Sequence, residues 1–485
     1  MHLIRPQFHD RRAFLRRSSQ LAMTGAALPI ALNLSAIGQA AAFTATDYKA
    51  LVCVFLYGGS DYANSVVTYD SPSYDLYSTI RGGGAGQAAG GIALGRAELA
   101  ATLLTPGAAL PGGRQYALHP SMTGLAGLFN SGKAAVLLNV GPLVVPLTKA
   151  QYNSPDRKLY PLPPKLFSHN DQQSVWQSSS PEGSTVGWGG NLGDLAMASN
   201  GNSLFTCISA TGNSVFLVGD SALQYQVGTT GAVPINGVKA AVNGSVAVKN
   251  ALTTLIQQSR PHTLENEYNR VTQRSIAAEA QITAALAGVS LATVFPSGNS
   301  LADQLKIVAR LIAARNTLGS RRQVFLVSLG GFDLHDNLIA QQPGLLSGVS
   351  AAMTAFYNAT LEMGLADKVT SFTTSDFGRT LSSNGDGSDH GWGGHHLIVG
   401  GAVKGKAFYG TPPPVSISDT SSPNDQWHVG QGRLLPSTAV DQYAATLARW
   451  FGVSDTEMAG VLPNIGHFGA AGGRADYPTD LGFLA

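Results

Sequence analysis

The chain contains 485 residues, of which 44% are hydrophobic and 12% are charged, and its formal net charge is +2. This length and apolar content allow one large domain or two ordinary ones with a sizeable core, and they exclude a chain that is disordered throughout. Because the sequence has no strongly basic field, nucleic acid is not implied as a partner.

The N-terminal residues have the features of an export signal. The pair Arg11-Arg12 precedes an uncharged, weakly apolar segment from Leu21 to Ile37, and small residues follow at 40–42. This order predicts a twin-arginine signal peptide over residues 1–42, with the twin-arginine translocase as export partner and a periplasmic or secreted mature protein. An amphipathic N-terminal helix is the alternative. No later apolar run reaches the roughly 20 residues of a membrane helix, so no span is expected in the mature protein.

The first predicted element is a buried strand from Lys49 to Tyr57, which ends in Gly58-Gly59. Asp61 therefore follows the carboxyl end of a strand, where open α/β sheets bind their ligands. Asn64 either caps the next segment or directs its amide into the same cleft as a substrate-binding group.

A helix is predicted from Leu118 to Gly132 and a buried strand from Ala134 to Val140. This order predicts an α/β fold with a doubly wound, mostly parallel sheet sandwiched by helices. After a proline-rich crossing, Leu166 to Gln172 opens another helix near Ser168. Ser168 is either the N-cap or a hydroxyl placed where an anion meets free backbone N–H groups.

The middle of the chain is less regular. Short strand-like pieces from Leu204 to Val248 predict a smaller, antiparallel, β-rich insertion or cap at about residues 200–250, inside a single domain over 43–485. Helices are predicted over residues 264–286 and 301–318.

The only two cysteines, Cys53 and Cys207, each lie in an apolar, strand-like run. Residues of this kind are more often small, buried core residues than a reactive thiol. We interpret both as core residues, and a disulfide between them is the alternative.

A further buried strand, Gln323 to Leu329, repeats the pattern of the first one. It ends in Gly330-Gly331, and Asp333 and His335 follow. Two strands thus deliver a carboxylate to the same edge of the predicted sheet. The next predicted helix covers residues 343–365.

A strand from Val369 to Thr374 precedes Asp376, and a loop rich in glycine then carries Asp389, His390 and His395. Glycines between these residues allow the backbone to fold closely around a centre. A last amphipathic helix is predicted over residues 441–452.

These strand ends predict a metal site, because mixed carboxylate and imidazole ligands suit zinc or manganese better than calcium or magnesium. The candidate ligands are Asp61, Asp333, His335, Asp376, Asp389, His390 and His395. They suffice for one or two divalent ions, which would bind both the nucleophile and an ester oxygen. Without a metal, carboxylates packed this closely should raise one another's pKa. The alternative is a polar surface loop with ordinary hydrogen-bonded histidines.

At these residues a resemblance extends over nearly the whole mature chain. The sequence is identified as a member of the exported bacterial family called domain of unknown function 1501 (DUF1501), through the motifs GGSDYANSVV, SHNDQQSVWQ, GWGG, GGFDLHDN, TSDFGRT, GSDHGWGGHH and GGAVKGKAFYG. That family in turn resembles the alkaline phosphatase and sulfatase superfamily. The resemblance implies a metal-ligand role for Asp61, Asp333, His335, Asp376 and His390, and a nucleophile at Ser168.

Two departures from the superfamily pattern affect these roles. Phe377 stands where the superfamily has a histidine after the aspartate, and the spacing from Asp333 to His335 is shorter than usual. The resemblance therefore implies that one metal is absent or differently ligated, with Asp389 or His395 in the vacancy, or that the fold has persisted without hydrolysis.

The leading hypothesis is an exported metal-dependent hydrolase of phosphate or sulfate esters, acting on a small-molecule or glycan ester. Ser168 is its nucleophile, and the planar guanidinium of Arg379 binds the substrate oxygens. His169 is a further substrate-binding residue and the rival reacting group. The alternatives are a non-catalytic protein that binds a metal or a glycan, and a structural protein of the cell envelope.

Overall fold

The computed structural model describes residues 44–82 and 91–485. The predicted signal peptide over residues 1–42 lies outside this part of the chain, so it stays a prediction. Within the described ranges, the hydropathy of each helix falls short of what crossing a membrane requires.

Twelve strands form in the described residues, ten of them in one sheet. They are β1 Lys49–Leu56, β2 Val66–Thr68, β3 Tyr116–Leu118, β4 Ala134–Gly141, β5 Cys207–Ser209, β6 Gln224–Gly228, β7 Gly231–Ala232, β8 Arg322–Leu329, β9 Val369–Ser375, β10 Gly394–Gly400, β11 Ala407–Tyr409 and β12 Thr438–Ala439. The sheet has the order β11-β4-β10-β9-β1-β8-β5-β6-β7, and β12 also pairs with β4. Strands β2 and β3 form a separate antiparallel pair.

Fourteen α-helices accompany these strands in the described ranges. They are α1 Tyr62–Ser65, α2 Ser71–Ile80, α3 Arg96–Leu99, α4 Thr123–Asn130, α5 Lys149–Tyr152, α6 His169–Ser178, α7 Trp188–Ala196, α8 Asn236–Lys239, α9 Val246–Gln257, α10 Thr263–Ala287, α11 Ser300–Ala313, α12 Leu338–Glu362, α13 Val440–Phe451 and α14 Met458–Val461. Helices α10 and α13 match the predicted ranges closely, whereas α11 ends at Ala313, five residues before the predicted end, and α12 begins five residues before Pro343.

Helices cover both faces of the sheet, as the alternating side chains of β1 show. Ala50, Val52 and Val54 belong to one hydrophobic cluster, which includes side chains of α4, α11 and α12. Leu51, Cys53 and Phe55 belong to a second cluster, with side chains of α6, α7 and α13. Successive strand residues point to opposite faces, so a continuously apolar strand is buried on both sides. The predicted α/β class with helices on both faces is confirmed.

Most neighbouring strands are parallel. Strand β1 pairs in parallel with β8 and with β9, and β5 with β8 and β6, whereas β10 runs antiparallel to β4 and β9. The stretch predicted as an antiparallel insertion differs in detail, since β5 and β6 extend the main sheet in parallel and only β6 and β7 form an antiparallel turn. Helices α8 and α9 follow it.

The two cysteines are free and buried, as the core interpretation predicted. Cys53 lies on β1 opposite Leu326 of β8, while Cys207 on β5 pairs with Val324 of that same strand. An intervening strand therefore separates them, which excludes the disulfide alternative in this fold.

Candidate metal centre

The site lies where three neighbouring parallel strands end. Leu56, the last residue of β1, is in register with Leu329 of β8 and with Ser375 of β9. The segments that follow these strands therefore start from one edge of the sheet, as predicted. Asp333 comes four residues after β8, and Asp376 directly after β9.

Three imidazoles converge on the carboxylate of Asp333. The Nε2 atoms of His335 and His390 lie 3.1 and 3.2 Å from Asp333 Oδ1. The Nε2 atom of His169, at the start of α6, lies 3.3 Å from Asp333 Oδ2. Three separate segments of the chain thus contribute to one centre.

Each of these rings is tethered through its other nitrogen. His169 Nδ1 lies 2.6 Å from Asp376 Oδ2, and His335 Nδ1 lies 3.1 Å from Asp389 Oδ1. His390 Nδ1 lies 2.7 Å from the backbone carbonyl of Phe167. A carbonyl or carboxylate only accepts, so the neutral rings carry their hydrogen on Nδ1 and keep the lone pair of Nε2 free.

This arrangement fits a cation. The Nε2 atoms of His335 and His390 are 3.0 Å apart, and two lone pairs that close repel unless a proton or a metal ion lies between them. The buried Nε2 of His169 has no hydrogen-bond partner. The ligand atoms of His169, Asp333 and His390 lie within 4.8 Å of one another, as one ion requires. Two imidazoles and one carboxylate are a ligand set that suits a divalent cation.

Burial and neighbouring charges shift the pKa values of the carboxylate and the imidazoles at the centre. Burial opposes ionisation of Asp333, but the hydrogen bond and charge of Arg379, with the charges of His169 and His335, hold the pKa of Asp333 below its ordinary value. The hydrogen bond that His169 donates to Asp376 raises the pKa of His169, whereas burial lowers that of His390. The prediction that crowded carboxylates raise one another's pKa is wrong at Asp333, because positive groups surround it.

Asp376 orients His169 and does not face the other ligands directly. It is fully buried; its Oδ2 also accepts from Gln173 Nε2 at 2.9 Å, and its Oδ1 accepts from the backbone N–H of Gly58 at 3.2 Å. The neighbouring Phe377 ring has its centroid 4.9 Å from that of His169 and 4.6 Å from that of His390. Phe377 therefore forms an apolar wall behind two of the ligands.

Ser168 lies at the start of α6, as predicted, between two residues that contribute to the site. Its hydroxyl donates to Asp171 Oδ2 at 2.9 Å and accepts no backbone N–H, so it is an N-cap by position only. The adjacent His169 side chain reaches Asp333 and Asp376 directly.

The predicted substrate-binding role of Arg379 is not supported. Its side chain is only 1% exposed. It donates to Asp333 Oδ1 at 2.6 Å and to the carbonyls of Gly58 and Ser388. These acceptors commit the guanidinium to the protein, so it holds Asp333 in place.

Asp61 and Asn64 also lie apart from the metal centre, contrary to their predicted roles. Asp61 is 3% exposed; its Oδ2 accepts from Arg81 and from the Ser388 hydroxyl, each at 2.6 Å, and its Oδ1 accepts from the backbone N–H of Asn64 at 3.0 Å. The amide of Asn64 bonds the carbonyl of Ile92 and the hydroxyl of Tyr77. Fully satisfied buried groups of this kind are structural.

His395 is a further correction. It accepts a hydrogen bond at Nδ1 from the backbone N–H of Asn139 and packs edge-on against Tyr62 and Tyr116. Burial lowers the pKa of its imidazole to about 3. His395 lies on β10, at an irregularity between Gly394 and His396, which both pair with β4.

Sequence reasoning missed the residue that joins the loops. Ser388 is fully buried; its N–H donates to the carbonyl of Leu334 at 3.1 Å, and its hydroxyl donates to Asp61. It therefore ties the loop of Asp389 and His390 to the loop of Asp333 and to the end of β1. The one feature of the sequence that indicates this role is the position of Ser388 directly before Asp389 in the motif GSDHG.

The fold and this site define an α/β protein with a histidine and carboxylate centre at the carboxyl edge of a mostly parallel sheet. The family model for "Protein of unknown function (DUF1501)" matches residues 48–463. The chain belongs to this family, which confirms the family prediction.

No curated protein matches the sequence. Similar solved structures include Ps i-CgsB in complex with k-i-k-neocarrahexaose, which is 9% identical with a TM-score of 0.34, over 90% of this chain and 78% of that one. The PsFucS1 sulfatase from Pseudoalteromonas sp. is 11% identical with a TM-score of 0.33, over 88% and 70%.

Proposed function

We propose that the protein is an exported, metal-dependent hydrolase of phosphate or sulfate esters, with one divalent ion, zinc or manganese, held by His169, Asp333 and His390. The observation that supports this most is the approach of three imidazole Nε2 atoms to one carboxylate, each ring tethered at Nδ1. Tethers of this kind raise the basicity of metal-bound imidazoles and fix their direction.

When bound, a divalent ion at this centre supplies Lewis acidity toward an ester oxygen. The protein's own residues then have distinct parts. His335 borders the ion site as a third imidazole nitrogen, Asp376 and Asp389 orient their histidines, and Arg379 keeps Asp333 ionised. Ser168 is the proposed nucleophile, and Asp171 Oδ2 lies where it can accept the hydroxyl proton.

The metal site is tested by elemental analysis of purified full-length protein and by zinc titration of the metal-free form. His390→Ala should abolish stoichiometric zinc binding. His467→Ala is the matched control, because His467 Nδ1 also bonds a backbone carbonyl, that of Val144, but the ring is exposed and distant in sequence from the ligands. Wild-type protein that takes up no divalent metal would refute the proposal.

Hydrolysis is tested with aryl phosphates and aryl sulfates on the zinc- and manganese-loaded protein. Ser168→Ala should abolish turnover and keep metal binding. If turnover survives in Ser168→Ala but not in His169→Ala, the reacting group is His169.

A non-catalytic metal-binding protein is the second candidate. The apolar wall of Phe377 beside the ligands favours it. Stoichiometric metal without turnover of either ester class would select this candidate.

A further inference from the structure

Arg433 is a cation beside the centre without a carboxylate partner. Its Nε donates to the backbone carbonyl of His390 at 2.7 Å, and its guanidinium lies 5.4 Å from the centroid of the Phe167 ring. Within the described ranges it forms no ion pair, and its two terminal nitrogens donate no hydrogen bond to the protein. Two residues that border the site, Phe167 and His390, thus fix the position of a guanidinium whose outer nitrogens stay available.

The backbone that carries Arg433 is rigid. A tight turn at Gly430, Gln431 and Gly432 has positive φ at all three residues. Around it, Val429 N–H donates to Arg433 O and Gly393 N–H donates to Leu434 O, both at 2.9 Å. A Cβ on Gly432 would approach that of Leu381 to 2.3 Å, so the turn packs closely against the neighbouring loop. The backbone of Arg433 is therefore held by hydrogen bonds and close packing on both sides of the turn.

Partial burial makes it unfavourable in free energy to leave the charge of Arg433 without an anion. The side chain is half-buried. A desolvated cation gains most from an anion that supplies the missing hydrogen bonds, and a planar guanidinium matches two oxygens of a phosphoryl or sulfuryl group. Arg379 cannot serve in this way, because its side chain is only 1% exposed and its terminal nitrogens already donate to Asp333 and two carbonyls.

We propose that Arg433 is the anion-binding residue of the site and holds the tetrahedral oxyanion of a phosphate or sulfate ester next to the metal ligands. This rests on the proposed function for the neighbouring ion, but the anion subsite itself is made of protein groups. The Phe167 ring covers one face of the guanidinium.

The test is calorimetric titration of the full-length protein, metal-free and zinc-loaded, with inorganic phosphate and with inorganic sulfate. Arg433→Gln should weaken binding of the preferred anion by about tenfold to a hundredfold, the effect of losing charge-assisted hydrogen bonds. Arg433→Lys should lie between, since it keeps the charge and loses the fork. Zinc affinity should change by less than about threefold in both variants.

Arg96→Gln is the matched control. Arg96 Nε also donates to a backbone carbonyl, that of Tyr69, at 3.1 Å, and its guanidinium also lies over the Tyr69 ring, at 4.8 Å. The Arg96→Gln substitution removes one positive charge, as Arg433→Gln does, but anion binding should stay at the wild-type level.

Wild-type anion affinity in Arg433→Gln, or an equal loss in Arg96→Gln, would overturn the assignment. The two proposals fail separately. Protein that binds phosphate through Arg433 but takes up no metal contradicts only the hydrolase, whereas ester turnover that Arg433→Gln leaves intact contradicts only the anion subsite.

Discussion

Asp61 and Asp333 follow the same local pattern, an apolar strand that ends in two glycines, yet their environments differ. The side chain of Asp61 is 3% exposed and accepts hydrogen bonds from Arg81 and Ser388. The side chain of Asp333 is 43% exposed and faces three imidazoles as well as Arg379. One strand end therefore carries a buried ion pair, and the other carries a carboxylate that ligands can reach.

The comparison shows what separates a closed carboxylate from an accessible one at the same sheet edge. Arg81 is fully buried, so the Asp61 pair is closed to solvent and to ions. Around Asp333, three imidazoles in their neutral form each offer a lone pair on Nε2 in addition to the carboxylate oxygens. A single arginine cannot donate hydrogen bonds to all of these acceptors. A site for an exchangeable metal needs that excess of unpaired acceptors.

The largest effect is expected for Asp61→Asn. It leaves the buried guanidinium of Arg81 without its counter-charge, which should lower the free energy of unfolding by about 3 to 5 kcal/mol. Urea unfolding of the metal-free protein measures this. The double variant with Arg81→Met should recover part of the loss. A stable Asp61→Asn protein that cannot bind zinc would instead make Asp61 a ligand.

Asp333→Asn should mainly affect metal binding rather than stability. Its zinc affinity should fall by more than about a hundredfold. Its effect on unfolding should be smaller, about 1 to 3 kcal/mol, because Arg379 retains two backbone carbonyls as acceptors. Competitive zinc titration and urea unfolding of the same preparation separate the two effects. Unchanged zinc affinity would remove Asp333 from the centre.

Asp376→Asn tests the tether of His169. The variant cannot fix the ring through a charged acceptor, so zinc affinity should fall by about tenfold to a hundredfold, as for other residues that orient a metal-bound histidine. The stability of the metal-free protein should fall by less than in Asp61→Asn. If metal-free Asp376→Asn unfolds several kcal/mol more easily and binds zinc normally, Asp376 has only a structural role.

The smallest effect is expected for Ser388→Ala, which removes one hydroxyl that joins Asp61 to the loop of His390. The free energy of unfolding should fall by about 1 kcal/mol, and zinc affinity by up to about tenfold. Ser209→Ala is the control, since Ser209 is equally buried and donates to the carbonyl of Gly212. It should cost similar stability and leave zinc affinity unchanged; equal zinc affinities would contradict the joining role.

Much of the fold could be predicted because its signals are local. Continuous apolar runs mark β1, β4, β8 and β9, which are buried on both faces, and the amphipathic pattern marks α10, α11 and α13. The short strands β5 and β6 were placed less well, because three to five residues at a sheet edge carry little periodicity.

The sequence by itself determined the long strands β1, β4, β8 and β9, and that Asp333, His335, Asp376, Asp389 and His390 follow or adjoin strand ends. Only the tertiary structure decided that Asp61 is closed by Arg81, that His395 turns into the core, and that His169 and Arg433 border the centre. The physical reason is that strand and turn formation depend on neighbouring residues, whereas the partners of a buried charge or a bare lone pair come from segments far apart in the chain.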